Sequence, residues 1–245
     1  MKQNFSKFVF LVLLGSLLSV SGQTQPQDPS SVTPEKRHEI HSKIFHVYWR
    51  ETIPQLLANR SGDLYLEDSK SPGYTVMPLN TPAYPPYALG MFACSSDAVV
   101  LATAQTSISH LTADQKFVYT DWTFTIEQVL KDNAKSHVPG GMTILVTRPG
   151  GTVEINNRKI YATDHNFKDF KASSRYLLFL EFIPETGAYK ADGEESFLLD
   201  GKQVVFLLPN NPHPEIKGKD TDTFISDTIA AISSESSNCV GRGKQ

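Results

Sequence analysis

Residues 117–130, FVYTDWTFTIEQVL, decide the fold, because their apolar and polar side chains alternate with a period of two. An extended chain places alternate side chains on opposite faces, so this stretch is predicted to be a long strand with one buried face. The side chains predicted to be buried are those of Val118, Thr120, Trp122, Phe124 and Ile126. Those predicted to face outwards are Asp121, Thr123, Thr125 and Glu127. The pattern slips at Val129 and Leu130, which is typical of a β-bulge that bends a strand.

Similar short stretches lie on both sides of this strand, and no helix is predicted between them. They are Ala98–Thr106, Met142–Arg148, Thr152–Ile155, Lys159–Ala162, Arg175–Phe182, Ser196–Asp200 and Gln203–Leu208. The first is apolar on both phases in its first half, so we expect it to be buried on both faces. Asn156 and Asn157 tolerate the positive φ of a tight hairpin turn, and Asp200 with Gly201 predicts a second hairpin. This succession predicts a mainly β fold, either a sandwich or a closed antiparallel barrel.

One helix is predicted on each side of the strands. The first lies in residues 33–60, with Thr33 as its N-cap and Pro34 in its first turn. Pro54 is expected to limit or kink it. Its apolar residues at helical spacing are Ile40, Ile44, Val47 and Tyr48. The last helix covers about Thr221–Ser233, with Asp220 or Asp222 as its cap, and its predicted buried stripe is Phe224, Ile225, Ile229 and Ile232.

The first 22 residues have the composition of a cleavable signal peptide. Lys2 and Lys7 give a positive start, and Phe8–Leu18 is an unbroken run of apolar or small residues. This run is too short to cross a bilayer, which takes about 20 apolar residues. Cleavage is predicted after Gly22, and the first cysteine lies far beyond that point, so no lipid anchor is expected. We therefore expect a secreted or periplasmic protein with no membrane span after processing.

The remaining chain divides into four predicted segments. Residues 23–32 are polar and rich in Pro, Gln and Ser, which predicts a disordered linker. Residues 33–60 hold the N-terminal helix. Residues 61–93 form a Pro- and Tyr-rich segment that either wraps the domain or carries function. Residues 94–240 form the β domain with its C-terminal helix.

The chain has two cysteines, Cys94 and Cys239, and an isolated pair in an oxidising compartment is expected to form a disulfide. This bond would join the start of the β domain to the tail that follows the last helix. The alternative is a reactive thiol at Cys94. No basic residue or histidine stands beside Cys94 in the sequence to lower its pKa, so the disulfide is favoured.

The charge of the chain argues against nucleic-acid binding. The full chain has 23 basic and 26 acidic residues, and removing residues 1–22 takes away two lysines, which leaves 21 minus 26, or −5. The basic residues are scattered along the chain, whereas nucleic-acid binders concentrate them. No nucleic-acid partner is therefore expected.

From Cys94 onwards, the order of four segments resembles a known family. The segments are SDAVVLATAQTS at 96–107, YTDWTFTIEQVLKDN at 119–133, MTILVTRPGG at 142–151 and RYLLFLEF at 175–182. They resemble the netrin-like domain, the OB-type barrel shared with tissue inhibitors of metalloproteinases, and domains of exported bacterial proteins. The resemblance implies a closed five-stranded barrel flanked by helices. Protease inhibition in that family needs an N-terminal Cys-x-Cys, whereas Cys94 is followed by Ser95 and Ser96, so inhibition is not carried over.

Four groups of residues come near to a catalytic or metal-binding pattern. His38, Glu39 and His41 follow H-E-x-H, one residue short of the zinc-protease spacing, and a solvated helix face is favoured. Asp164 and His165 suggest a base with its orienting acid, but no nucleophile motif accompanies them. The other two groups are acidic. Asp220, Asp222 and Asp227 suggest calcium, but helix capping is favoured for the first two. For Asp192, Glu194, Glu195 and Asp200, a solvated hairpin end is favoured over a cation site.

Two further features have an ordinary interpretation. Trp122 is a possible ligand platform, but its strand phase favours packing in the core. Asn59, Arg60 and Ser61 form a glycosylation sequon, which matters only if the source glycosylates its exported proteins.

These observations leave three classes of function, and no cofactor or metal is expected in any of them. The favoured class is a non-enzymatic exported domain that binds an unknown protein, a surface polymer or a small ligand through its barrel loops. The second is an extracytoplasmic hydrolase that uses Asp164, His165 and the acidic residues between 192 and 200. The third is a structural or assembly role in which residues 33–92 dock a partner.

Overall fold

The computed structural model describes residues 32–45, 47, 50–68, 85–209, 213 and 216–235. The mainly β prediction is confirmed for these residues. Their helices are α1 (Pro34–Ile44), α2 (Ile53–Asn59), α3 (Pro85–Ser95) and α4 (Thr221–Glu235). None of the helices in these ranges is long and apolar enough to cross a membrane. The predicted signal peptide, with its cleavage point at Gly22, and the linker up to residue 31 lie outside the described residues.

The strands follow one another in the predicted order, apart from an additional short strand near the N-terminus, and two of them, β2 and β8, are longer than predicted. They are β1 (Leu64–Asp68), β2 (Ala98–Leu111), β3 (Val118–Lys131), β4 (Thr143–Pro149), β5 (Gly151–Ile155), β6 (Arg158–Asp164), β7 (Arg175–Ile183), β8 (Ala188–Asp200) and β9 (Gln203–Phe206). Six of them form one sheet in the order β4-β3-β2-β7-β8-β9, with antiparallel neighbours. The first strand in this order, β4, also pairs in parallel with β8.

The predicted faces of β3 are confirmed on the inner side. All five residues expected to be buried are buried, and Trp122 packs edge-to-face on Phe170 with ring centroids 5.9 Å apart. Trp122 is therefore part of the core. The predicted bulge is also confirmed, because Val99 pairs with Lys131 and Val100 pairs with Val129, which leaves one residue of β3 without an opposite.

The first half of β2 is buried on both faces, as predicted, because two helices cover its second face. α3 and α4 place Phe92 and Phe224 against Val99 and Leu101 in a second apolar cluster. The buried stripe of α4 differs from the prediction at Ile229, which is 42% exposed. Thr228 is buried in its place, and its hydroxyl donates to the backbone oxygen of Phe224.

A second, three-stranded sheet has the order β1-β6-β5. β5 and β6 form the predicted hairpin, and Asn156 and Asn157 take φ values of 51° and 59°. β1 runs parallel to β6 and lies within the stretch expected to be irregular, 61–93. Buried and exposed residues alternate from Leu64 to Glu67 in β1, and Leu64 and Leu66 are buried on the inner face. α3 begins within the same stretch, so residues 61–93 are only partly irregular among those described.

The segment 33–60 is two helices instead of one. Thr33 caps α1 as predicted, because its side chain accepts from the backbone N–H of Lys36. α2 has its own N-terminal signal: the Thr52 side chain accepts from the backbone of Gln55, and the Gln55 side chain accepts from the backbone of Thr52. Pro54 stands in the first turn of α2, so it helps to begin a helix and does not kink one.

Cys94 lies in the last turn of α3, at the start of the β domain. Cys239 lies outside the described residues. The Cys94–Cys239 disulfide therefore stays a prediction.

Candidate functional site: an acidic pocket at a bulge of β8

The acidic residues 192–195 form a wide bulge in the middle of β8, and not a hairpin end. Leu178 of β7 pairs with Ser196, and Leu180 pairs with Ala191, so the four residues between them have only Phe179 opposite. Bulges of this kind redirect side chains away from the regular pleat. The part of β8 before Ser196 was not predicted to be a strand, because the bulge interrupts the alternation of apolar and polar residues.

Gly193 allows this bulge to lie against a neighbouring turn. A Cβ atom at this position would lie 1.9 Å from the backbone oxygen of Asn166, which is far inside contact distance. Only glycine therefore permits this close approach of two backbone segments. Gly193 therefore packs against the turn at Asn166, and the acidic side chains of the bulge line a cavity.

The bulge lines a cavity of about 280 Å³ together with β7 and the end of α3. We call this cavity the acidic pocket, and its lining residues are Ser95, Glu181, Lys190, Ala191, Asp192, Glu194 and Glu195. Four carboxyl groups and one ammonium group therefore surround it. The pairing of Glu181 with Lys190 across β7 and β8 places their charged atoms 3.6 Å apart at one side of the pocket.

Glu195 is the residue of the pocket with the most altered acidity. Burial raises the pKa of its carboxyl group from 4.5 to about 7, and the negative charges of Asp192 and Glu194 act in the same direction. The Ser95 hydroxyl donates to Oε1 of Glu195 at 2.8 Å, and this bond and the charge of Lys190 act against the rise. Near neutral pH, Glu195 therefore exchanges a proton easily, a property that is common at binding and catalytic sites.

Three of the four acidic residues singled out in the sequence thus meet in one pocket. Asp200 does not belong to it, because it stands exposed at the turn between β8 and β9. The solvated hairpin end was the right expectation for Asp200 and the wrong one for the other three. Ser95 and Glu181 were missed, since nothing in the sequence brings α3 and β7 to residues 192–195.

Asp164 and His165 do not form the suggested pair. Asp164 Oδ1 accepts from the backbone N–H of Asn166 at 2.7 Å, so it shapes the turn that meets Gly193. His165 contacts Glu67 instead, with Nε2 3.2 Å from Oε1. The two side chains therefore have different partners, the backbone of a turn for Asp164 and Glu67 for His165.

The expectation of a solvated helix face is wrong for His41. This residue is fully buried between α1 and the sheet, with Nδ1 3.0 Å from Asp121 Oδ1 and Nε2 3.2 Å from Thr186 Oγ1. Asp121, predicted to face outwards, is also buried, because α1 covers that face of β3. Glu39 alone stays on the solvent side, where it pairs with lysines of its own helix.

Two more histidines border this buried pair. His38 Nδ1 lies 2.9 Å from the Tyr119 hydroxyl, and His110 Nε2 lies 3.7 Å from Asp121 Oδ2. Burial lowers the pKa of His110 although Asp121 acts to raise it, and burial raises the pKa of the Tyr119 hydroxyl. No group of three metal-ligating side chains with the arrangement of a metal site occurs in the described ranges. The contacts of His38 with Tyr119 and of His41 with Asp121 join α1 to β3.

Of the two predicted capping residues of α4, Asp220 is the cap. Asp220 caps the helix, with its Oδ2 accepting from the backbone N–H of Thr223 at 3.0 Å. Asp227 forms an ion pair with Lys219, and Asp222 is exposed in the first turn. The sequon residue Asn59 is exposed at the end of α2.

No protein-family model matches the sequence, and no curated protein is similar to it at a significant level.

Proposed function

We propose that this chain is an exported, non-enzymatic binding domain of the OB type, and that its acidic pocket holds a small ligand through an amino group. The observation that carries the proposal is the pocket itself, in which four carboxyl groups face one ammonium group. Such an excess of carboxyl groups is complementary to a cationic ligand. The proposed partner is a small molecule, and the pocket gives no basis for binding nucleic acid.

The OB-type barrel is supported by the pairing of the strands. Along the sheet, β4, β3, β2, β7 and β8 are neighbours, and β8 then pairs with β4 through Val146 with Tyr189 and Thr147 with Lys190. The resemblance to the netrin-like domain implies a ring of five strands; the β4–β8 pair is parallel, whereas an antiparallel barrel was expected. In such barrels the strand ends and bulges carry the binding groups.

Export is supported by the sequence alone. The positive start and the apolar run before Gly22 are typical of a signal peptide. An oxidising location in turn favours the proposed disulfide between Cys94 and Cys239. This bond would fix the end of α3, next to Ser95, and so the wall of the acidic pocket.

Calorimetric titration of the mature chain with spermidine tests the proposal. We expect saturable binding to spermidine and none to a neutral diol of similar length. The double variant Asp192→Asn/Glu194→Gln should weaken binding about tenfold, because it removes two carboxylates without changing the size of the side chains. Asp200→Asn is the matched control in the same strand and should bind like the wild type. Equal weakening by the control, or no binding by the wild type, would contradict the proposal.

A second candidate function is hydrolysis, and one observation favours it. Glu195 has a pKa of about 7 and accepts the Ser95 hydroxyl at 2.8 Å, which is the geometry of a base beside a nucleophile. In this mechanism Glu195 would take the hydroxyl proton as the Ser95 oxygen attacks an ester carbonyl, and would return it to the departing alcohol as the ester C–O bond breaks. Water would then hydrolyse the acyl–Ser95 bond and release the carboxylic acid. Turnover of activated esters by the wild type, abolished in Ser95→Ala and kept in Asp200→Asn, would establish this candidate over simple binding. Absence of turnover would remove it.

A further inference from the structure

The outer face of the three-stranded sheet carries an exposed pair of tyrosines. Tyr65 of β1 and Tyr161 of β6 stand directly opposite each other in the parallel register. Their rings are stacked, with centroids 4.9 Å apart and planes 11° from parallel. Tyr65 is 73% exposed, whereas its neighbours Leu64 and Leu66 are buried on the inner face. The pair therefore belongs to the surface and contributes nothing to the core.

Tyr65 has one open ring face. One side of its ring contacts Tyr161, and among the described strands β1 is an edge, with no further strand beyond it. Thr152 of β5 pairs with Tyr161, so the row across the sheet is tyrosine, tyrosine and a threonine hydroxyl. The row therefore combines two aromatic rings with hydroxyl groups that can donate and accept hydrogen bonds.

Charged side chains of both signs lie on the same face of the sheet as this row. Glu154 and Lys159 stand opposite each other across β5 and β6, and both are exposed. Glu67 lies next in β1 after Leu66, and its Oε1 is 3.2 Å from His165 Nε2. Charged and titratable groups of both signs therefore lie beside the row, whereas the acidic pocket has four carboxyl groups and one ammonium group.

We propose that this tyrosine row binds a neutral polysaccharide chain, with a sugar ring stacked on the open face of Tyr65. The C–H face of a pyranose is apolar and fits an aromatic ring, and its hydroxyl groups fit the threonine hydroxyl and the paired charges beside the row. Because groups of both signs lie beside the row, it is complementary to neither a cationic nor an anionic polymer, which favours an uncharged one.

A protein partner fits this surface less well. A stable protein interface buries about 800 Å² on each side, and two tyrosines supply only a small part of that area. The other large apolar side chains found exposed in the described ranges stand on different elements: Met91, Ile108, Met142 and Ile229. The tyrosine row is therefore a short aromatic strip beside polar side chains, and it matches the face of a sugar ring better than the area of a protein interface.

This inference rests on the proposed export of the chain, where surface polymers occur, but not on the acidic pocket. The two are tested separately, because spermidine binding and polysaccharide binding would use different surfaces. Variants of Tyr65 should leave spermidine binding unchanged. The Asp192→Asn/Glu194→Gln variant should leave polysaccharide binding unchanged.

The experiment is a partition assay of the mature chain on insoluble cellulose and on chitin. We expect retention by at least one of these polymers, an about tenfold loss of affinity in Tyr65→Leu, and wild-type retention in Tyr65→Phe. Leucine keeps the apolar bulk of the strand but has no flat ring, so the comparison does not depend on whether Tyr65→Ala folds. Met142→Ala is the control for an exposed apolar residue elsewhere and should bind like the wild type.

Three results would overturn the proposal. The first is no retention of the wild type on either polymer. The second is equal retention of Tyr65→Leu and the wild type. The third is a concentration-dependent increase in size that Tyr65→Leu abolishes while polymer binding is unaffected, which would assign the row to self-association.

Discussion

Glu195 couples stability to pH at the level of a single residue. Its pKa is raised from 4.5 to about 7 in the folded chain, so the folded state keeps a proton that the unfolded state releases. The contribution of this proton to stability is complete below pH 4.5 and is lost as the pH rises through about 7. Across this range the wild type should lose about 3 kcal/mol of unfolding free energy through Glu195.

Glu195→Gln should remove this pH dependence, because glutamine cannot ionise. Urea unfolding of the two proteins at several pH values between 4.5 and 7 checks the prediction. Asp200→Asn is the control and should keep the slope of the wild type. A slope that is the same in Glu195→Gln as in the wild type would show that Glu195 ionises normally in the folded chain.

The buried pair of His41 and Asp121 should be costly to break. His41→Ala removes the histidine nearest to the buried Asp121 carboxyl group and leaves His110, whose Nε2 is 3.7 Å from Asp121 Oδ2; losses of about 3 kcal/mol are typical of such changes. Lys43→Ala removes an exposed partner of Glu39 and should cost less than about 1 kcal/mol. Unfolding midpoints in urea measure both. Similar small losses in the two variants would mean that α1 is held by other contacts.

We expect the bulge of β8 to depend on Gly193. In Gly193→Ala the new methyl group meets backbone atoms of Asn166, so the bulge or the turn must move. We expect a loss of about 1–3 kcal/mol, as for other overpacked sites, together with weaker spermidine binding. Gly140→Ala is the matched control, since a Cβ atom there meets nothing within 4 Å. Unchanged stability and binding in Gly193→Ala would show that the bulge is not held at this point.

The strands were predictable from the sequence because their alternation is a local property. β3 and its bulge followed from the phase of apolar residues around Trp122, and the hairpin of β5 and β6 followed from two asparagines. The burial of Asp121 was not predictable, since it depends on α1, which is far away in the chain. Ile229 was misplaced because α4 meets the sheet through Phe224, Thr228 and Ala231, a stripe that includes a threonine.

The acidic pocket was the least predictable feature. Its acidic residues were visible as a run in the sequence, but the alternative of a solvated turn had the same local pattern. What makes them a site is the register of β7 with β8 and the position of Ser95 at the end of α3. Both are long-range properties that hydrophobic periodicity does not encode.

The proposed closed barrel makes a prediction for the whole molecule. If β4 is closed against β8, the backbone N–H groups of β4 should exchange with solvent as slowly as those of β2, because no edge is left open between them. Hydrogen exchange followed by NMR checks this for Val146 and Thr147, the residues that pair with β8. Fast exchange along β4 would show an open sheet with β4 at its edge.

The most direct test of the central claim is an NMR titration of the Glu195 side-chain carboxyl carbon, with and without spermidine. We expect Glu195 to titrate with a midpoint near pH 7 in the free protein. The midpoint should be lower when spermidine is bound, because a nearby ammonium group favours the carboxylate. A midpoint close to 4.5 that spermidine does not change would contradict it, since Glu195 would then be an ordinary solvated carboxylate outside any ligand site.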